Sequence, residues 1–398
     1  MKKLLLNLAV LLTLAACNGN AQSTGTATAS SVEASAGHEA KTERLDTIVS
    51  SYVQHEGKNP IHSILVYTGD EDFTYKSAFG IKGRDETPVE ADYQYNIASV
   101  TKPVVATVIL QLYEEGKLDL DDKASKYLGD VEFLHFDSLH VMNGESMSDR
   151  ITIDMLLTHT SGVADIFSDA AMRFNRSLLA DPQQGFTPEK LAGIYYDYGL
   201  NRKPANAPGE GYHYSDINYN LLGLIIQEIT GKTLPQAIRT RVLEPLGMDD
   251  TYFEYYEEAI TDGRRTDAYY FDMNITENVN TSYEWGGGGL VSTTEDMVTY
   301  IKALMNGELF ENESTLEKML DTSLATSVGG DDYGRGIFQY KLPGKDGPRV
   351  LYGHSGFFGS DLAYDPENKV FIATHFNQST PPFNTPDMIG RILDVVYE

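Results

Sequence analysis

The sequence predicts a discontinuous α/β domain: a sheet drawn from both ends of the chain, interrupted by a mostly helical part. Strand-like runs occur early, at 61–67 (IHSILVY) and 73–79 (FTYKSAF), joined by the turn-rich TGDED. They return only late, at 349–353 (RVLYG), 360–365 (SDLAYD) and 369–376 (KVFIATHF). Between these ends the apolar spacing is helical. The expected partition gives about 41–125 and 286–398 to the α/β part and about 126–285 to the helical part.

The elements follow in order. Residues 1–16, MKKLLLNLAVLLTLAA, combine two lysines, an apolar run too short to span a bilayer, and small residues, as a secretory signal does. Residues 18–40 contain no aromatic residue and are mostly Ala, Ser, Thr and Gly, a composition that cannot offset the entropy of ordering, so 17–40 is expected to be a flexible tether. From 41, Leu45, Ile48, Val49, Tyr52 and Val53 recur at helical spacing. Residues 100–115 place Val104, Val108 and Leu112 on one helical face and stop at Gly116. Short and strongly apolar helices are expected at 151–162 and 215–231, and a closing helix at about 386–397. The aromatic-rich segment 253–285 is less periodic and reads as long loops over a cleft.

With 58 acidic and 31 basic residues the net charge is −27, which argues against nucleic acid and against docking on anionic lipid. No run after the leader approaches the roughly 20 apolar residues that a spanning helix needs. Cys17 is the only cysteine, so the domain has no internal disulfide and its core alone must hold it. Its setting, LAAC, resembles the lipobox of bacterial lipoproteins and implies a diacylated Cys17. The expected product is a lipid-anchored domain of a bacterial cell envelope, in the periplasm or outside the cell. The histidines lack metal-ligand spacing, and WGGGG (285–289) is not followed by the Lys-Ser/Thr of a phosphate loop. No metal or cofactor is expected, the partner is a small-molecule or peptide substrate, and a monomer is the expected state.

The stretch NIASVTKPVV (96–105) carries the chemistry. Pro103 has no N–H and fits only in the first turn of a helix, so the helix starts at about Ser99 or Val100. That sets Ser99 at a helix N-terminus and Lys102 one turn on, within reach of its hydroxyl. A cation there is electrostatically unfavourable, so something other than stability placed it. A serine hydroxyl is a poor nucleophile until a neighbour takes its proton. Alone, S-x-x-K also describes a cap followed by a surface lysine.

Two more clusters follow: GYHYSDINY (211–219), with Tyr214-Ser215-Asp216, and YGHSGFFGSDLAY (352–364), with His354-Ser355-Gly356. In this order SVTK, YSD and HSG resemble the three motifs of the serine β-lactamase and penicillin-binding-protein superfamily. The similar branch includes class C β-lactamases, D-alanyl-D-alanine carboxypeptidases and β-lactamase-type esterases. LLTHTSG (156–162), PGEGYHYSD (208–216), PLGM (245–248) and GGGLVSTTEDM (287–297) resemble it too, so the similarity covers nearly all of 41–398.

The resemblance implies a β-lactamase/transpeptidase-like fold: an antiparallel sheet flanked by N- and C-terminal helices, with an inserted helical domain. It implies Ser99 as nucleophile, Lys102 and Tyr214 as the pair that activates it, and the backbone N–H groups of Ser99 and Phe357 as oxyanion hole. Gly356 lets the strand backbone approach the substrate. Asp216 stands where Asn is usual; ionised, it only accepts hydrogen bonds, and beside Lys102 it favours the charged ammonium, shifting the expected proton handler to Tyr214. His354 replaces the lysine that helps penicillinases hold a substrate carboxylate, as carboxypeptidases and esterases of the superfamily also do, so strong β-lactamase activity is not expected. Ser355 completes the expected substrate-binding set, and His159 is expected to be structural. The implied function is a serine hydrolase acting through an acyl-enzyme on an ester, amide or D-alanyl peptide. The alternatives are a true β-lactamase and, from another class, a ligand-binding or sensor protein that keeps the fold.

Overall fold

The structure, a computed structural model, describes residues 36–83, 86–260, 263–325, 331–344 and 347–398. The leader, Cys17 and the tether as far as residue 35 lie outside the described residues. The first helix, α1, spans Ala36–Ser50, so residues 36–40 belong to it and not to the tether. Glu39 sits in its first turn, where the helix dipole favours an acid, and His38 lies 5.3 Å from the Phe73 ring, giving this polar segment something to dock on.

Among the described residues seven strands form the main sheet. β1 (Ser63–Gly69) and β2 (Thr74–Gly80) come from the N-terminal side. β3 (Asp332–Tyr333), β4 (Phe338–Leu342), β5 (Arg349–Gly356), β6 (Ser360–Asp365) and β7 (Val370–Phe376) come from the last quarter of the chain. Their order is β3-β4-β5-β6-β7-β1-β2, every neighbour antiparallel. The two ends meet where β1 pairs with β7, Ile64 opposite Phe376 through Gly69 opposite Phe371. Both strands are almost wholly buried, as β-branched and aromatic runs in the middle of a sheet should be. The sequence reading missed β3 and β4. FQYKL in β4 shows no apolar alternation because neither of its faces is fully covered.

One face of the sheet is covered by α1 and the closing helix, α6 below. There Leu45 and Val49 meet Met388, Ile392 and Leu393 over Ile64, Val66 and Ile372. Each such side chain contributes roughly 1.5–3 kcal/mol on burial. The other face carries the helical part. Its α2 (Thr101–Glu114) is buried on every side rather than along one stripe, with Val105 and Ile109 as enclosed as Val104 and Val108. α3 (Asp216–Thr230) is similarly enclosed and ends at Gly231, whose φ of 66° suits the left-handed residue that stops a helix. A single turn, α4 (Trp285–Gly288), precedes α5 (Thr294–Met305), and α6 (Thr385–Val396) closes the chain.

A small sheet positions the site. Tyr95–Asn96 pairs with Leu290–Ser292, which pairs in turn with Tyr252–Phe253. It holds the residues just before Ser99 beside those just after the glycine run. The segment 253–285, read as loops, contains a short hairpin, Tyr269–Tyr270 with Met273–Asn274, and one turn of helix at Ile275–Asn278. Among the described residues no helix is long and apolar enough to cross a membrane.

One ion pair ties the helical part to the sheet edge. Arg335, between β3 and β4, donates to Asp154 Oδ1 at 2.5 Å and Oδ2 at 3.0 Å, and to the Lys318 carbonyl at 2.5 Å; its side chain is 8% exposed. Removing one partner of a buried pair strands the other charge. Asp154→Ala should therefore cost about 3 kcal/mol in urea unfolding, whereas loss at an exposed pair such as Lys369–Glu71 should be near zero.

Candidate active site

The chain enters the site through a strained turn. Ala98 has φ 45°, unusual for a residue with a Cβ, and opens a 3-10 turn over Ala98–Val100 that runs directly into α2. Pro103 lies in the first turn of α2, as its missing N–H requires. Ser99 is partly exposed among buried neighbours.

Lys102 is fully buried. Its ammonium donates to Ser99 Oγ at 2.8 Å, Asp216 Oδ1 at 2.5 Å and the Gly287 carbonyl at 2.7 Å. An ammonium has three protons, and all three are engaged. Nζ also lies 4.9 Å from the Tyr214 ring centre and 5.6 Å from that of Tyr219, a favourable seat for a cation. Asp216 is the first residue of α3, where the helix dipole favours its negative charge. Its backbone N–H donates to Asp165 Oδ1 at 3.0 Å. Asp165 also accepts from the N–H groups of Phe167 and Ser168, while burial and the nearby Asp216 push its carboxyl upward.

Tyr214 packs against His159 with ring centres 4.2 Å apart and planes tilted by 32°. Burial and the charge of Asp216 raise the Tyr214 phenol well above its ordinary value, opposed by a hydrogen bond with Ser99. His159 is buried, has φ 57°, and its Nδ1 accepts from Ser215 N at 3.2 Å and faces Asn218 Nδ2 at 3.1 Å. Burial keeps its ring neutral. It braces the turn that carries Tyr214 and Asp216.

The third motif divides its residues. His354 is buried, with Nδ1 2.8 Å from the Ser355 carbonyl and Nε2 3.2 Å from the Tyr333 hydroxyl. Burial and the Lys102 charge lower it to about 3, so it stays neutral. Its ring is 6.2 Å from that of Tyr214 but both nitrogens are engaged within the protein. The Ser355 side chain points to the opposite face of the sheet, the face that packs on α1 and α6, and bonds the Tyr340 hydroxyl at 3.0 Å. Gly356 returns to the Ser99 side, where a Cβ would lie 2.2 Å from the Ile97 carbonyl oxygen. Only glycine allows β5 to press this closely on the turn before Ser99. Phe357 follows with its side chain 54% exposed.

The structure thus brings Ser99, Lys102, Tyr214 and Asp216 together, sets His354 behind them and the backbone at Gly356 beside them, and turns the Ser355 and Phe357 side chains elsewhere. WGGGG forms a single helical turn beside the cleft and walls the site. A Cβ on Gly286 would lie 2.6 Å from the Tyr219 carbonyl oxygen, and one on Gly287 2.7 Å from Asp216 Oδ1. One on Gly288 would lie 2.2 Å from Glu284 Oε2 and 3.2 Å from the Ala98 carbonyl carbon. Glu284 and Asp165 were missed; the one available signal for Glu284 was its place before four glycines, which mark close backbone approach. Burial first, then Asp216, raise the Glu284 carboxyl from 4.5 to about 8.

The family's profile matches residues 45–397 under the description Beta-lactamase. Protein flp of Staphylococcus aureus (strain MW2) is 29% identical over 294 residues, 72% of this chain and 53% of that protein, so the chain spans about half the length of this curated relative. The D-amino acid amidase of Ochrobactrum anthropi SV3, in complex with L-phenylalanine, superposes with a TM-score of 0.74 at 22% identity, covering 90% of this chain and 98% of that one. The octameric penicillin-binding protein homologue of Pyrococcus abyssi gives 0.67 at 26%, covering 90% and 75%. Fold and matched residues together define the β-lactamase/transpeptidase architecture. The chain belongs to the β-lactamase family.

Two outcomes follow from the wall. Gly287→Ala should displace Asp216 from Lys102 and lower kcat/KM about tenfold or more, with far-UV circular dichroism unchanged. The folded protein keeps a proton on Glu284 that the unfolded chain releases above its ordinary 4.5, so stability should decline as pH rises from there to about 8. Urea midpoints across that range should fall more shallowly in Glu284→Gln.

Proposed function

We propose that this chain is an exported serine hydrolase that forms an acyl-enzyme on Ser99 from an ester, an amide or a D-alanyl peptide. The observation that carries the reading is the Lys102 ammonium donating to Ser99 Oγ at 2.8 Å beside Tyr214. Ser99 Oγ attacks the substrate carbonyl carbon and the carbonyl π pair moves onto oxygen. The backbone N–H groups of Ser99 and Phe357 receive that oxyanion, a service worth about 3–4 kcal/mol per donor. Collapse expels the amine or alcohol, which takes up the proton that left Ser99, and water then hydrolyses the ester on Ser99.

Neither partner takes the serine proton from the resting arrangement alone. All three Lys102 protons are donated, and Tyr214 holds its own tightly. Ser99, Lys102, Tyr214 and Asp216 therefore act as one coupled set that must shed a proton before attack. This widens the expected activating pair, Lys102 and Tyr214, to include Ser99 and Asp216. A neutral, fully engaged His354 supports low activity on penicillins. For location, the LAAC setting supports a lipid on Cys17, holding the domain to a membrane of the cell envelope.

A fluorophosphonate probe should label Ser99 in the wild type and not in Ser99→Ala; an unlabelled wild type would falsify the hydrolase reading. Lys102→Ala and Tyr214→Phe should each reduce kcat/KM on a p-nitrophenyl ester by about 10²–10⁴-fold. Because the set must lose a proton, kcat/KM should climb as pH rises from 6 towards 9, and a profile that falls over this range contradicts the coupled set. Nitrocefin should be turned over slowly relative to the ester.

A further inference from the structure

A cavity lies on the face of the sheet turned away from Ser99. It encloses about 250 Å³ between β4, β5, β6, β7 and the first turns of α6. Ile372, Phe376 and Ile389 supply apolar walls, and the exposed residues Ser355, Phe357 and Pro386 lie along it, so it opens to solvent. An apolar cavity of about 150 Å³ is enough to take benzene, so this one has room for a single ring with a short substituent.

One end of the cavity is polar. Asp361 on β6 stands opposite Ser355 on β5 and Thr374 on β7, and strand alternation turns all three to this face. Ser355 Oγ lies 3.0 Å from the Tyr340 hydroxyl on β4, so a carboxyl group and two hydroxyls gather there. Asp361 has no cation of its own: among the described residues it makes no ion pair. The bases on the surrounding elements are engaged elsewhere, Lys341 with Asp332, Arg349 with Asp394 and Arg391 with the Tyr52 hydroxyl. Burial raises the Asp361 carboxyl from 3.8 to about 6, opposed only by the Ser355 and Thr374 hydroxyls.

We propose that this cavity binds a small primary amine with an apolar body, its ammonium on Asp361 and its body against Ile372, Phe376 and Ile389. An ammonium has three protons to place, and Asp361, Ser355 and Tyr340 offer three oxygen acceptors at the same end. An alcohol of the same shape would keep the apolar contacts and lose the charge-assisted bond. The site makes no use of Ser99 and stands independently of the hydrolase reading. β5 separates the two, with Ser355 on the cavity side and Gly356 pressed towards Ile97 before Ser99.

The test is calorimetric titration of the full chain with benzylamine and with benzyl alcohol, at pH 8, where the Asp361 carboxyl is ionised. Benzylamine should occupy one saturable site and bind at least about tenfold more tightly than the alcohol. Asp361→Asn keeps the shape and removes the charge, and should abolish that advantage. Thr385→Phe fills the cavity from the first turn of α6 without altering any charge, and should weaken both ligands. No binding, equal binding of amine and alcohol, or an advantage that persists in Asp361→Asn overturns the proposal. The last outcome would assign the preference to general attraction by a chain of net charge −27. Binding that Thr385→Phe leaves unchanged places the amine elsewhere and also overturns it. Should Asp361→Asn fail to fold, the wild-type ratio and Thr385→Phe decide together.

Discussion

The site is organised around one buried ammonium. Lys102 is fully enclosed, and a charge in that position is tolerable only because a carboxylate, a carbonyl and a hydroxyl accept all of its protons. Each acceptor comes from a different element: Asp216 from the start of α3, Gly287 from the turn α4, Ser99 from the turn before α2. Three separate segments must therefore reach their final places before this charge is neutralised. The requirement couples the geometry of Ser99 to the packing of the whole helical part.

The close contacts on the wall follow from the same demand. Gly287 must bring its carbonyl to Lys102 while leaving room for Asp216, and Gly288 must pass between Glu284 and the turn before Ser99. Gly356 meets the equivalent condition from the sheet side, against Ile97. Backbone without side chains presses on the turn that carries Ser99 from two directions, and Ala98 takes up a left-handed conformation between them. The strain is local and the surrounding contacts over-determine it.

Much of this was legible in the residues. Pro103 located the start of α2 to within two residues, and that alone turned S-x-x-K into a claim about distance. The partner of Asp216 was likewise foreseeable, since an acid in the second motif has one obvious cation to meet. What stayed hidden depends on contacts between distant segments. Nothing in HSG says that Ser355 faces away, because strand alternation assigns faces only once the neighbour of each face is known. Glu284 was hidden for a related reason: its neighbours Asp216, Glu254 and Lys102 lie far away in sequence. β3 and β4 were missed because half-covered strands carry little apolar pattern, and α1 began earlier than its apolar spacing because docking of His38 on Phe73 leaves no periodic trace.

The pairing of β1 with β7 has a kinetic side. Residues 63–69 wait for residues 370–376 before either strand has its central neighbour, so the sheet cannot close until nearly the whole chain is available. Such long-range closure makes folding slow relative to a helical domain of similar size. Gly356 lies on β5 in the same late block, so the serine has no finished strand beside it while the chain is still emerging. A domain assembled in this order has no completed site during its own synthesis.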